Sequence, residues 1–174
     1  MAFYGAGVEY ALHTLLNLSL APDETAPSAR DLAEFQRLPL AFMRKLLTQL
    51  EKAGLIEGTE GVRGGWRLAR DPARITALEV AEAAQGRSPL FECREIRGNC
   101  ALWEGGAKPK AATSGVCEIH AVMLSAEAAM RRELARQTLA DIAGKVAAKR
   151  SAATSAAIPA WFAERYDERR KQDA

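Results

Sequence analysis

Residues 45–74 read KLLTQLEKAGLIEGTEGVRGGWRLARDPAR, a helix pattern that runs directly into a strand pattern. The apolar positions Met43, Leu46, Leu47 and Leu50 recur at threes and fours and stop at Gly54, a residue free to take the left-handed conformation past a helix end. Leu55 and Ile56 then open a strand. Gly58, Gly61, Gly64 and Gly65 interrupt it before Trp66 and Leu68 resume at period two, which predicts a glycine-tipped hairpin with Arg63 near its turn. A helix followed directly by such a hairpin is the winged form of helix-turn-helix.

Upstream, Ser28 and Asp31 have the spacing of a capping box, so the supporting helix is expected over Ala29 to Phe35. Arg37, Leu38 and Pro39 form the turn, with Pro39 suited to the first turn of the next helix, where its missing N–H costs nothing. In this geometry Leu40, Ala41, Arg44 and Lys45 face the major groove of DNA and Arg63 enters the adjacent minor groove. A helix plus hairpin also serves as a packing unit in modules that bind proteins, so charge placement has to decide.

The whole chain decides little, because Lys and Arg outnumber Asp and Glu by only 24 to 22. Residues 1–92 even carry ten basic against twelve acidic side chains. Yet Arg37, Arg44, Lys45, Lys52, Arg63, Arg67 and Arg70 all fall on the reading helix, its turn and the wing, where phosphate contacts are needed. No run approaches membrane-spanning length and no signal-like segment opens the chain, so a cytoplasmic protein with no membrane contact is expected. With two histidines and no nucleophile–base or phosphate-loop arrangement, no catalytic constellation emerges, and an enzyme is not expected.

The 174 residues, 48% of them hydrophobic, suit a mostly α-helical fold with one core and an extension. Residues 3–20 read as an apolar helix ended at Pro22-Asp23-Glu24, and Thr76 to Gln85 as a capped helix closed by Gly86. The DNA-binding domain thus spans 1–86. From 87 to 117 periodicity gives way to a glycine-rich loop holding all three cysteines, Cys93, Cys100 and Cys117. Over 118–149 a long helix returns to about Arg136, with Met123, Ala126, Met130 and Leu134 spaced for packing on a second copy, and Thr138 restarts a short helix. Residues 150–174 form an extension to which the pattern assigns no role, with an amphipathic helix over Pro159 to Lys171 through Trp161, Phe162 and Tyr166.

An odd number of cysteines in one loop of a chain without export signals argues for metal or redox chemistry over a disulfide framework. Zinc competes, since Cys117 and His120 stand close together, but structural zinc wants a second close pair and six residues separate Cys93 from Cys100. Iron–sulfur clusters accept wider spacing. Glu9 and His13, four apart, project from one face of the first helix, as an ordinary helical pair also would.

Taken together, YGAGVEYALHTLLNL, KLLTQLEKAGLI, GVRGGWRLARDPARITALEVAEAAQG, the three-cysteine loop and TLADI resemble the bacterial dimeric winged-helix repressors typified by the iron–sulfur cluster regulator IscR and the nitric-oxide sensor NsrR. The likeness covers roughly residues 3–147, and GVEYALH is most similar to the redox-sensing RsrR branch. The resemblance implies a homodimer on a palindromic double-stranded operator, sensing redox, nitric oxide or iron–sulfur status. It implies a 2Fe-2S cluster in preference to 4Fe-4S, held by cysteines of one subunit and by Glu9 and His13 of the other. Cys100 and Cys117 are the expected pair, with Cys93 completing the candidate set and His120 left open. The loop departs from the family pattern in its length, Cys117 lying seventeen positions after Cys100. A cluster-free thiol-oxidation regulator is the alternative, and an iron–sulfur carrier or electron-transfer protein a distant one.

Overall fold

In a computed structural model the described residues are 2–22, 25–59, 64–99, 101–104, 106–107 and 109–172. Arg63, Cys100, the hairpin glycine Gly61, the loop glycine Gly105, and Asp23 and Glu24 of the first helix stop lie outside them. The chain divides into two compact units, residues 1–86 with 134–174, and residues 87–133.

The first unit is mostly helical. Helix α1 (Ala6–Leu20) buries Val8, Ala11, Leu15, Leu16 and Leu18 and is capped by Ala21, just before Pro22. Helix α2 (Ala29–Gln36) starts at the Ser28–Asp31 capping box, in which each residue's side chain bonds the other's backbone N–H. Buried Thr14 ties α1 to α2, because its hydroxyl accepts from Gln36 Nε2 at 2.8 Å. Between α2 and helix α3 (Leu40–Lys52), Arg37 takes a left-handed conformation, φ 53°, which turns the chain sharply. Met43, Leu46, Leu47 and Leu50 of α3 are all buried, as their period requires. Gly54, at φ +66°, ends the helix.

Strands β1 (Ile56–Gly58) and β2 (Trp66–Leu68) pair antiparallel, with Ile56 opposite Leu68 and Gly58 opposite Trp66. Helix α4 (Ala77–Gln85) begins at a Thr76–Glu79 capping box and ends at Gly86. Gln85 then closes the N-terminus, accepting from Gly5 N–H and donating to the Phe3 carbonyl.

After the second unit the chain returns. Thr138 bridges to Thr76, Leu139 N–H donates to the Ile75 carbonyl at 2.8 Å, and helix α6 (Leu139–Ala147) starts from a third capping box, Thr138–Asp141. Leu139 is buried in the common core. Helix α7 (Ala152–Gln172) is longer than the pattern predicts: it starts seven residues before Pro159 and runs through it. Two local features account for the early start: the Ser151 hydroxyl accepts the Thr154 N–H, and Ala152, Ala153, Ala156 and Ala157 are strong helix formers.

The second unit contains three short 3-10 turns and most of helix α5 (Glu118–Arg136). No residue of α5 is buried. Its most exposed large apolar side chains are Ile119, Val122 and Leu124, the first two about two-thirds exposed.

Candidate functional site

On α3 the face opposite the core presents Ala41, Arg44, Lys45 and Thr48, all exposed, at the spacing of one helix stripe. Leu40 is half-buried and packs against the core, so it stands at the edge of this stripe. Thr48 is an addition to the residues read from sequence. It was within reach of the same period, one turn beyond Arg44, and its hydroxyl donates to the Arg44 carbonyl at 3.0 Å. Phe42 is also partly exposed, edge-on to Tyr10 of α1 at 5.6 Å.

Among the described residues, two of the cations that the sequence assigns to this surface have internal partners. Arg67 pairs with Glu57 directly across the strand ladder at 2.7 Å, and Arg70 pairs with Glu79 at 3.0 Å and reaches the Arg74 carbonyl. Burial works against the Glu79 carboxylate, but bonds from the Thr76 backbone and hydroxyl and from Arg70 hold its pKa below the usual value. Arg44, Lys45 and Lys52 carry no ion pair among the described residues and are exposed. The turn of the wing with Arg63 lies outside the described residues, and its base is closed by Thr59 N–H to the Gly65 carbonyl at 2.8 Å.

In the second unit, Cys93 and Cys117 line one apolar cleft of about 280 Å³ together with Phe91, Ile96, Ile119 and His120. Local bonds shape it. Cys93 Sγ accepts the Glu95 N–H at 3.4 Å, and Arg97 grips the Glu95 carboxylate through Nε and Nη2 at 2.5 and 2.7 Å. Arg97 Nη2 also donates to the Gly115 carbonyl, two residues before Cys117, and Trp103 Nε1 donates to the Arg97 carbonyl. The Glu95 carboxylate, with the nearby Cys93 and Cys117, raises the Arg97 pKa further above its already high ordinary value. His120 lies against the Phe91 ring at 6.0 Å between centroids.

The cleft therefore collects two soft thiol ligands and one imidazole at its wall. Among the described residues no three His, Cys, Asp or Glu side chains converge as a metal site, and Cys100 is outside them. In chemistry the two thiols fit an iron–sulfur cluster, and further ligands must come from elsewhere. Glu9 and His13 occupy the exposed side of α1, opposite its buried stripe. Arg97 and the cleft wall were not legible in sequence, because no spacing rule links Arg97 to Glu95 and Gly115.

Comparisons with known proteins agree on the kind of molecule. The family model described as Rrf2, iron-dependent transcriptional regulator, matches residues 4–145. The chain is 32% identical over 144 residues to the HTH-type transcriptional regulator NsrR of Geobacillus kaustophilus, covering 82% of this chain and 90% of that one. Among solved structures, CymR, the global cysteine regulator of B. subtilis, superposes with a TM-score of 0.64 at 21% identity, covering 83% of this chain and 98% of CymR. IscR of T. potens gives 0.63 at 20% identity, over 86% and 93%. Both show the same winged-helix fold. No helix is long and apolar enough among the described residues to cross a membrane. The chain belongs to the Rrf2 family, and is a helix-turn-helix transcriptional regulator and not an enzyme.

Proposed function

We propose that the protein is a homodimeric repressor whose grip on a palindromic operator depends on a 2Fe-2S cluster shared between subunits. The observation that carries this reading is the pair Cys93 and Cys117 at one apolar cleft, in a chain whose family is iron-dependent. When bound, such a cluster supplies a reversible redox centre that is also open to attack by nitric oxide or to loss. The protein's own groups do the rest. Cys117, with Cys93 or Cys100, holds the cluster from one subunit, and Glu9 and His13 of the partner subunit hold it from the other. Ile119, Val122 and Leu124 of α5, exposed in a single chain, give the second copy an apolar surface to cover. Arg44 and Lys45 reach base edges and phosphates, with Ala41 and Leu40 beside them and Arg63 in the minor groove. Because half-sites lie about 34 Å apart, tying or releasing α1 against the cysteine loop changes whether both reading helices dock at once.

Anaerobic purification with an absorption spectrum and iron and sulfide analysis tests the cluster directly. Colourless, iron-free protein that still binds DNA in a thiol-dependent way would replace this reading with reversible oxidation of the same cysteines. The bridge between subunits has its own test. A heterodimer of Cys117→Ala and His13→Ala subunits keeps one intact site and one doubly damaged site, so about half the cluster should return if ligands come from opposite subunits. No recovery would rule out the bridge. Light scattering that finds a stable monomer at micromolar concentration would remove the dimer.

A further inference from the structure

Helix α7 lies beyond residues 4–145 of the family match, yet it enters the core of the DNA-reading unit. Ile158 and Phe162 are buried, and the Phe35 ring of α2 lies 4.9 Å from Phe162 and 5.1 Å from Trp161. Arg165 adds an ion pair to Glu34 at 2.9 Å. One turn further, Arg169 pairs with Asp31 and donates from Nη2 to the Ala26 carbonyl at 2.9 Å.

Both partners have a second structural role. Asp31, only 8% exposed at its side chain, also accepts the Ser28 N–H as the cap of α2. The Ala26–Pro27 segment supports the wing: Trp66 N–H donates to the Pro27 carbonyl at 2.9 Å, and a Cβ on Gly65 would lie 2.1 Å from the Ala26 oxygen. One guanidinium therefore joins the start of α2 to the stretch of chain on which β2 rests. A planar fork with several donors can serve a carboxylate and a carbonyl together, which a lysine ammonium does less well.

We propose that Arg169 is a positioning residue for DNA recognition: through it, α7 holds Ala26–Pro27 under β2 and so fixes the wing relative to α3. This rests on the reading in which Arg63, in the turn between β1 and β2, touches DNA. The first readout avoids that dependence. In the free full-length protein, Arg169→Met should raise amide exchange at Trp66 about tenfold while the Leu47 amide stays protected. Unchanged exchange at Trp66 overturns the brace.

The second readout uses a duplex selected from a random-sequence pool by the wild-type protein. Arg169→Met should weaken binding about five- to tenfold and lower the salt slope by about one, matching Arg63→Ala, and the double variant should be no worse than Arg63→Ala alone. If the two losses multiply and the Arg169→Met slope is unchanged, Arg169 does not act through the wing and the proposal fails. If Arg63→Ala has no effect on affinity or slope, the wing contact is the reading that fails, and Trp66 exchange still judges the brace. Should Arg169→Met not fold, Arg169→Lys is read by the same two criteria, with smaller expected changes.

Discussion

The two units of this chain are built on opposite terms. The first has a continuous core in which Leu15, Leu32, Met43, Leu47, Leu50, Leu55, Ile75 and Phe162 are almost wholly shielded, while between 87 and 133 none of the side chains whose burial is described is buried. Apolar content does not explain the contrast, because the second unit also offers Ile96, Val116, Ile119, Val122 and Leu124, and all of them face outward. What differs is closure. The first unit has helices on several sides of one apolar interior, whereas the second is a single long helix and short turns around an open cleft.

Core truncation gives the sharpest contrast. Leu47→Ala should lower unfolding free energy by about 2–5 kcal/mol, whereas Ile96→Ala, at a side chain 72% exposed, should change it by less than about 0.5 kcal/mol in the cluster-free protein. Urea unfolding measures both, and equal losses would erase the distinction. Function should separate along the same line. Arg44→Ala is expected to cost about 1–3 kcal/mol in affinity for the selected duplex while leaving iron content and visible spectrum as they were. On the proposed cluster reading, Cys117→Ala should lower the iron content and disturb the visible spectrum while leaving the stability of the first unit intact.

Glycines repeat the comparison with a single methyl group. Gly65→Ala would drive its Cβ into the Ala26 carbonyl, backbone that has no room to yield, and should cost about 1–3 kcal/mol. Gly106→Ala meets nothing within 4 Å, so no measurable loss is expected. The smallest effect is acidic destabilisation. The Thr138 backbone and hydroxyl bonds lower the pKa of Asp141, and those from Thr76, outweighing burial, lower that of Glu79. Each folded pKa is depressed, so the stability contributed is present above the ordinary carboxylate range and is lost as pH falls through the lowered value. Thermal melts should show a slightly weaker acid dependence for Asp141→Asn than for wild type. An identical slope would mean that this cap adds nothing.

Where the determinants are local, the sequence is readable. The period of Met43, Leu46, Leu47 and Leu50, the stop at Gly54, the Ser28, Thr76 and Thr138 caps and the extent of α5 all depend on residues within a few positions of one another. Determinants that act across the chain leave no such trace. Arg169 finds Asp31 and Ala26 from the far end of the molecule, and Arg70 is drawn to Glu79 only because α4 begins beside it. Pro159 misleads for a related reason: its local penalty for a helix is outweighed by the alanines before it and by buried Ile158 and Phe162 on either side. At the cleft, Cys93 and Cys117 are evident as residue types, but their shared apolar wall depends on where Phe91, Ile96 and Ile119 come to lie.

The bridge between Thr76 and Thr138 also bears on the order in which the molecule is made. A growing chain can complete the α1–α4 portion, including the reading helix and wing, while everything from the cysteine loop onward is still unsynthesised. The joint that seats Leu139 beside Ile75 must wait for the whole intervening stretch, and its closure has to overcome the entropy of a long loop. On the ribosome, α1–α4 emerge before Leu139, Ile158 and Phe162, which belong to the same core, so that core closes only once α6 and α7 have been made.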